Sequence, residues 1–196
     1  ITKHNQGGKG LGVRRFDSHA ESDDAIAETA SLGQGSHEEP TWPVDGVTLL
    51  QEYLRPDSGH ITRAEFVGDR YLYALQADTV HGGFQLCPAD ACAIDPESGL
   101  PLIPPGAEAA PVPGTSIFSL RAGFDHPIVQ SYRSFLDAEG IGIAGIEFIE
   151  TADGRLVTYD VNTNTNYNPE VEARVTAEGG IGGPDAIARY LGRLLG

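Results

Sequence analysis

Hydrophobic and polar positions along this chain fall into short alternating runs, broken by glycine, proline and acidic clusters. An extended run at 1–5 (ITKHN), a glycine-rich stretch at 6–12 (QGGKGLG) and a second extended run at 13–16 (VRRF) predict strand, loop and strand. Asp17 and Ser18 can cap a helix, and the Ala- and acid-rich pattern that follows carries a helix to Gly33. Two prolines and three glycines in 33–46 predict a loop. Three apolar runs come next, at 47–54 (VTLLQEYL), 61–67 (ITRAEFV) and 70–76 (RYLYALQ). Gly59 separates the first two, and Gly68-Asp69 is a hairpin turn signal between the second and third.

Seven of the thirteen prolines lie in 82–116, which disfavours both helix and central strand there and predicts a long insertion or lid. Beyond it the pattern predicts a helix over 127–139, a buried strand over 142–150, a turn at Asp153-Gly154 and a strand over 155–162. A polar loop over 162–173 and a helix from Pro184 to Leu195 complete the chain. Antiparallel hairpins with separate helices predict an α+β fold, not a doubly wound α/β fold. Two parts are expected, 1–46 with the glycine loop and 47–196 with the remaining strands.

Composition narrows the function. The 196 residues carry 28 acidic and 13 basic side chains, a net charge of -15. Such a surface argues against non-specific binding to nucleic acid or an anionic membrane. No run approaches the ~18 apolar residues of a membrane span. The first residues lack the apolar core of a signal peptide. Cys87 and Cys92 are too few for a disulfide framework, and two thiolates alone do not complete a zinc site. A cytoplasmic location is therefore the default expectation. Both lysines, Lys3 and Lys9, lie at the start, and there is no Met, which is expected of a processed or truncated chain.

Four features carry candidate chemistry. In the loop Gly7-Gly8-Lys9-Gly10-Leu11-Gly12, backbone N–H groups can approach an anion without Cβ atoms in the way; the alternative is a flexible hairpin tip. Glu147, in GIEFIE, and Asp160 and Asn162, in YDVN, flank one hairpin turn. Two carboxylates and an amide oxygen are hard donors suited to Mg²⁺; the alternative is a solvated hairpin edge. Gln51-Glu52-Tyr53-Leu54 ends an apolar run and can present backbone groups to an adenine edge. Arg63 is a lone cation within a strand, placed either to clamp a phosphate or to form a surface salt bridge.

In this order the motifs resemble the ATP-grasp superfamily, especially the branch of ribosomal-protein-modifying glutamate ligases and glutathione synthetase-like enzymes. The match runs from the strand lysine and glycine hairpin through E-Y-L, I-T-R with V-G-D, G-I-E and D-V-N to an Asn-rich loop. The resemblance implies that Lys3 contacts nucleotide phosphate under the cover of Gly7, Gly8, Lys9, Gly10 and Gly12. It implies that Glu52, Tyr53 and Leu54 form the adenine hinge, and that Arg63 stabilises the transferred phosphoryl group. Glu147, Asp160 and Asn162 are then the Mg²⁺ ligands, with Asn164 a lesser candidate.

The implied activity joins a carboxylate to an amine, or to a thiol, through an acyl-phosphate formed with ATP and Mg²⁺. Both substrates are left unidentified. The resemblance also implies an N-terminal domain ahead of residue 1. Where family members carry a second basic residue after the arginine strand, this chain has Gln76, Asp78 and His81. His81, Arg121 and His126 are candidates for substrate contact or for structural duty. A non-catalytic ATP-binding module and a phosphotransferase acting on an alcohol or sugar are the alternative functions. The sequence leaves a homo-oligomer open.

Overall fold

A computed structural model of the protein describes residues 1–5, 13–24, 45–79 and 116–196, in two units, Ile1–Leu54 and Arg55–Gly196. The glycine loop with Gly7, Gly8, Lys9, Gly10 and Gly12 lies outside the described residues. So do the later part of the expected 17–33 helix, His81, and the proline-rich segment as far as residue 115, with Cys87 and Cys92. The fold is α+β, with a two-stranded and a five-stranded antiparallel sheet.

In the first unit, β1 (Thr2–His4) pairs antiparallel with β2 (Thr48–Leu50), Lys3 facing Leu49 across the ladder. The expected strand over 47–54 is thus shorter, and it pairs with the start of the chain. The ladder is extended by Ile1 N–H to Gln51 C=O at 2.7 Å and Gln51 N–H to Ile1 C=O at 2.9 Å. In place of a full strand, 13–16 contributes one bridge, Thr2 to Arg14. Residues 19–24 are helical, and Ser18 Oγ accepts from Glu21 N–H at 3.2 Å, the cap its sequence predicts.

The second unit is built on a sheet of order β5-β4-β3-β6-β7. Its strands are β3 (His60–Val67), β4 (Arg70–Asp78), β5 (Phe118–Leu120), β6 (Ile143–Glu150) and β7 (Leu156–Asn162). The β3–β4 turn is Gly68-Asp69, with Gly68 at φ +62°, where a side chain would be strained. Helix α1 (Pro127–Ala138) covers one face of the sheet. Its first turn is set by Pro127 and by His126, whose Nδ1 accepts from Ile128 N–H at 3.1 Å. Tyr132 and Leu136 pack there on Ala64, Phe66, Ala144, Ile146 and Phe148. Burying each large apolar side chain contributes about 1.5–3 kcal/mol, so this layer is the principal core.

Helix α2 (Pro169–Ala177) lies on the opposite face, where Val171 and Val175 pack on Tyr73 and Leu75 of β4. This helix corrects the expectation of a polar loop over 162–173. Asn168 Oδ1 accepts from the N–H groups of Glu170 and Val171, both at 3.1 Å, and Pro169 stands in the first turn. The Asn-Pro pair is therefore a helix start. β5 is a second element outside the sequence expectation, a three-residue edge strand. Helix α3 (Gly183–Leu195) ends the chain as its pattern predicts, and none of the described helices is long and apolar enough to cross a membrane.

Two bulges interrupt the alternation of the sheet. Glu147 pairs with Asp160 but Phe148 pairs with Thr158, so Tyr159 is an extra residue in β7. Likewise Glu65 pairs with Tyr73 and Phe66 with Tyr71, which leaves Leu72 extra in β4. In β7 the bulge switches faces. Thr158 bonds Tyr132 of α1 at 2.6 Å, whereas Asp160 and Asn162 share the opposite face with Glu147 and Gly145.

Candidate functional site

The face of the sheet away from α1 is apolar on β4 and β5 and charged on β3, β6 and β7. Arg63, Glu147 and Asp160 form one row across three adjacent strands, Arg63 opposite Glu147 and Glu147 opposite Asp160. The next row is Glu65, Gly145 and Asn162. Register therefore gathers four of the residues singled out in the sequence, Arg63, Glu147, Asp160 and Asn162. Plain alternation puts Asp160 and Asn162 on a common face; the β7 bulge makes it the face of Glu147.

Arg63 is 4% exposed, so the surface salt bridge considered for it does not occur. Its Nε lies 2.7 Å from Oε1 of Glu65, which has no exposure. The N–H does not point along that line, so the contact is an ion pair and Nε keeps no hydrogen-bond partner. Nη2 donates to the Asn166 carbonyl at 3.3 Å, and Nη1 stands 3.8 Å from Oε1 of Glu147. The guanidinium crosses β6 over Gly145, where a Cβ would be 2.5 Å from Nε.

Glu65 is the residue that sequence reasoning missed. The alternation Arg63-x-Glu65 within an apolar strand put an acid beside the arginine on one face, and that was the available signal. Thr165 Oγ1 lies 3.1 and 3.0 Å from the two Glu65 oxygens and donates to the carboxylate. Burial pushes the Glu65 carboxyl up to about 7 against the opposing pull of Arg63 and Thr165, and the Glu147 charge pushes the same way as burial.

Glu147 is 14% exposed on its side chain, and Oε2 accepts from Tyr159 O–H at 2.8 Å. Burial, reinforced by Glu147, pushes the Tyr159 phenol well above its usual range, so it remains a donor. Asp160 is half-buried, and Asn162 Oδ1 accepts from Asn164 N–H at 2.8 Å. Two carboxylates, Glu65 and Glu147, thus stand at one guanidinium, and Asp160 and Asn162 follow on the next strand of the same face. An oxygen-donor set with excess negative charge fits a hard divalent cation. Among the described residues, no group of three His, Cys, Asp and Glu side chains is arranged to hold a metal; Asn162 is the third donor of the expected set.

The other expected residues divide between structural duty and the first unit. Lys3 is half-buried on β1. Glu52 is exposed, while Tyr53 and Leu54 are half-buried, and the Arg15 guanidinium lies 4.6 Å over the Tyr53 ring. That stacking occupies one face of the Tyr53 ring. His126 caps α1, and Arg121 donates to Thr62 at 2.8 Å and Glu150 at 3.1 Å while stacking 4.5 Å over Phe124. No protein-family model matches this sequence, and no curated protein matches it.

Proposed function

We propose that this chain is the nucleotide-binding part of an ATP-grasp-type ligase, using ATP and Mg²⁺ to join a carboxylate to an amine or a thiol. One observation carries the reading: Arg63, Glu147 and Asp160 share a transverse row on one sheet face, with Asn162 in the next row. A phosphoryl-transfer site needs cationic donors beside hard oxygen ligands, because its catalysis is positioning and charge neutralisation. The motif order supplies the rest, with Lys3 and the Gly7–Gly12 loop at the phosphates and Glu52, Tyr53 and Leu54 at the adenine.

Glu147, Asp160 and Asn162 would hold Mg²⁺, which would supply charge neutralisation to the phosphates. In the transfer a substrate carboxylate oxygen attacks the γ-phosphorus of ATP, and ADP departs. An amine or thiol then attacks the acyl carbon, and inorganic phosphate leaves. Arg63 stabilises the oxygens of the transferred phosphoryl group through its Nη1 end. Tyr159 holds Glu147 through Oε2, and the Asn162–Asn164 turn holds the amide oxygen in place.

The test is calorimetric titration of ATP into the protein with and without Mg²⁺. Mg²⁺-dependent binding is expected, lost by about tenfold or more in Asp160→Ala and Asn162→Ala, about what loss of a charged hydrogen-bonding partner costs. Unchanged ATP affinity in both variants would overturn the assignment of ligands. Phosphate release on adding carboxylates, with mass spectrometry of the product, separates an amide or thioester from a phosphate ester, and silence on both counts favours a binding module.

A further inference from the structure

Resting on that reading, we propose that Glu65 is the positioning residue of Arg63. It holds the guanidinium by its Nε edge, so that the Nη1 end is turned toward the Glu147–Asp160 row. Three contacts define the arrangement. Nε is 2.7 Å from Glu65, Nη2 donates to Asn166 C=O at 3.3 Å, and Nη1 is 3.8 Å from Glu147. Two of the three nitrogens are thus engaged by groups on the sheet floor and the Asn-rich loop. The third makes a contact longer than a hydrogen bond, on the side where the Mg²⁺ ligands stand. A phosphoryl oxygen arriving there meets N–H groups that no closer acceptor among the described residues holds.

The energetics favour this role over a purely structural one. Glu65 has no solvent exposure and Arg63 has 4%. Removing two charges from water costs several kcal/mol per ion, and a well-packed apolar pair in the same volume is often equally stable. Glu147 already stands near the guanidinium, so a second buried carboxylate adds negative charge beyond neutrality. What it adds in return is direction: an arginine held at one edge has one end left to offer. Two independent features support the placement. Gly145 leaves the space in which the guanidinium crosses β6, and Thr165 Oγ1 donates to Glu65 from the loop. That hydroxyl, with the Asn166 carbonyl one residue on, makes the loop a clamp on both members of the pair.

The test uses the whole chain, with Glu65→Gln, Glu65→Asp and Thr165→Val. Affinities for Mg·ATP and Mg·ADP are measured for each, since only ATP carries the phosphoryl group that Arg63 would meet. Glu65→Gln is expected to weaken Mg·ATP by about tenfold more than Mg·ADP, with part of the difference restored in Glu65→Asp. Equal weakening for both nucleotides would overturn the proposal and leave Glu65 a structural residue.

A second readout separates this inference from the reading beneath it. In arginine-¹⁵N-labelled protein, the Arg63 Nε–H resonance is expected to be resolved in the parent chain and averaged in Glu65→Gln. If the parent binds neither nucleotide, the ligase reading fails, and the resonance still decides whether Glu65 holds Arg63; an unchanged resonance would overturn it. Should Glu65→Gln not fold, Thr165→Val is scored in the same way, with about a threefold loss of ATP over ADP selectivity expected, as for one neutral hydrogen bond.

Discussion

A Cβ on Gly145 would stand 2.5 Å from Nε of Arg63 and 3.0 Å from Oγ1 of Thr165. β6 therefore carries a glycine where the guanidinium of β3 crosses it. Gly145→Ala is expected to displace Arg63 and destabilise the protein by about 1–3 kcal/mol, the usual cost of overpacking. Urea denaturation measures it, and a midpoint equal to that of the parent would show that the crossing is not tight.

The Arg63–Glu65 pair gives a double-mutant cycle. Arg63→Met alone leaves Glu65 buried beside Glu147 without its cation, at a cost of about 3–5 kcal/mol. Adding Glu65→Leu is expected to recover most of that loss, because both buried charges are then gone. If the two losses simply add, the residues are not coupled and the pair is not the unit described here.

Stability should depend on pH through Glu65. Its folded value of about 7 lies above the ordinary 4.5, so the fold favours the protonated form. The contribution is fully present below pH 4.5 and is lost as pH rises through about 7. Arg63, Glu147, Tyr73 and Tyr167 are the charged and titratable groups that act on Glu65 or feel its charge. Relative to Glu65→Gln, the parent is expected to lose stability on the order of 3 kcal/mol across that interval. Thermal unfolding of both proteins at stepped pH checks it, and parallel curves would sink the assignment.

Glu172 joins three elements. Its Oε1 accepts from Tyr73 of β4, and its Oε2 accepts from Gly183 N–H at 2.8 Å. Gly182 has no side chain to cap α3, so Glu172 of α2 supplies the acceptor from a distance. Glu172→Ala should leave a buried phenol and a helix-start N–H unpaired, costing about 2–4 kcal/mol. Hydrogen exchange would place the loss: amides of the first turn of α3 are expected to exchange faster, and unchanged protection there would refute the capping role.

Local pattern made much of the second unit legible. The hairpins, the helix over 127–138 and the C-terminal helix followed from alternation, glycine turns and helix-start prolines. The helix after Asn168 did not, because a run of Asn and Thr reads as loop until Asn168-Pro169 is taken as a cap with its first-turn proline. Arg63, Glu147, Asp160 and Asn162 were found because charges in apolar strands are costly and so conspicuous. Glu65 escaped notice because its partner lies on its own strand, and only burial distinguishes that pair from a surface one. Pairing of β2 with the start of the chain is a non-local choice that no window of sequence contains.

The extra residue in β7 makes the backbone path of that strand, more than its composition, the critical quantity. Leu156 and Thr158 address the α1 side, and Asp160 and Asn162 address the other, though all four are even-numbered. Tyr159 supplies the odd step that separates them. With Tyr159 kept but its bulge closed into regular alternation, both oxygen donors would turn into the apolar layer beneath α1, whereas deleting Tyr159 would leave them on their present face. Drift in side-chain identity along β7 is thus survivable, whereas loss of the bulge with Tyr159 still in the strand would dismantle the acidic row at once.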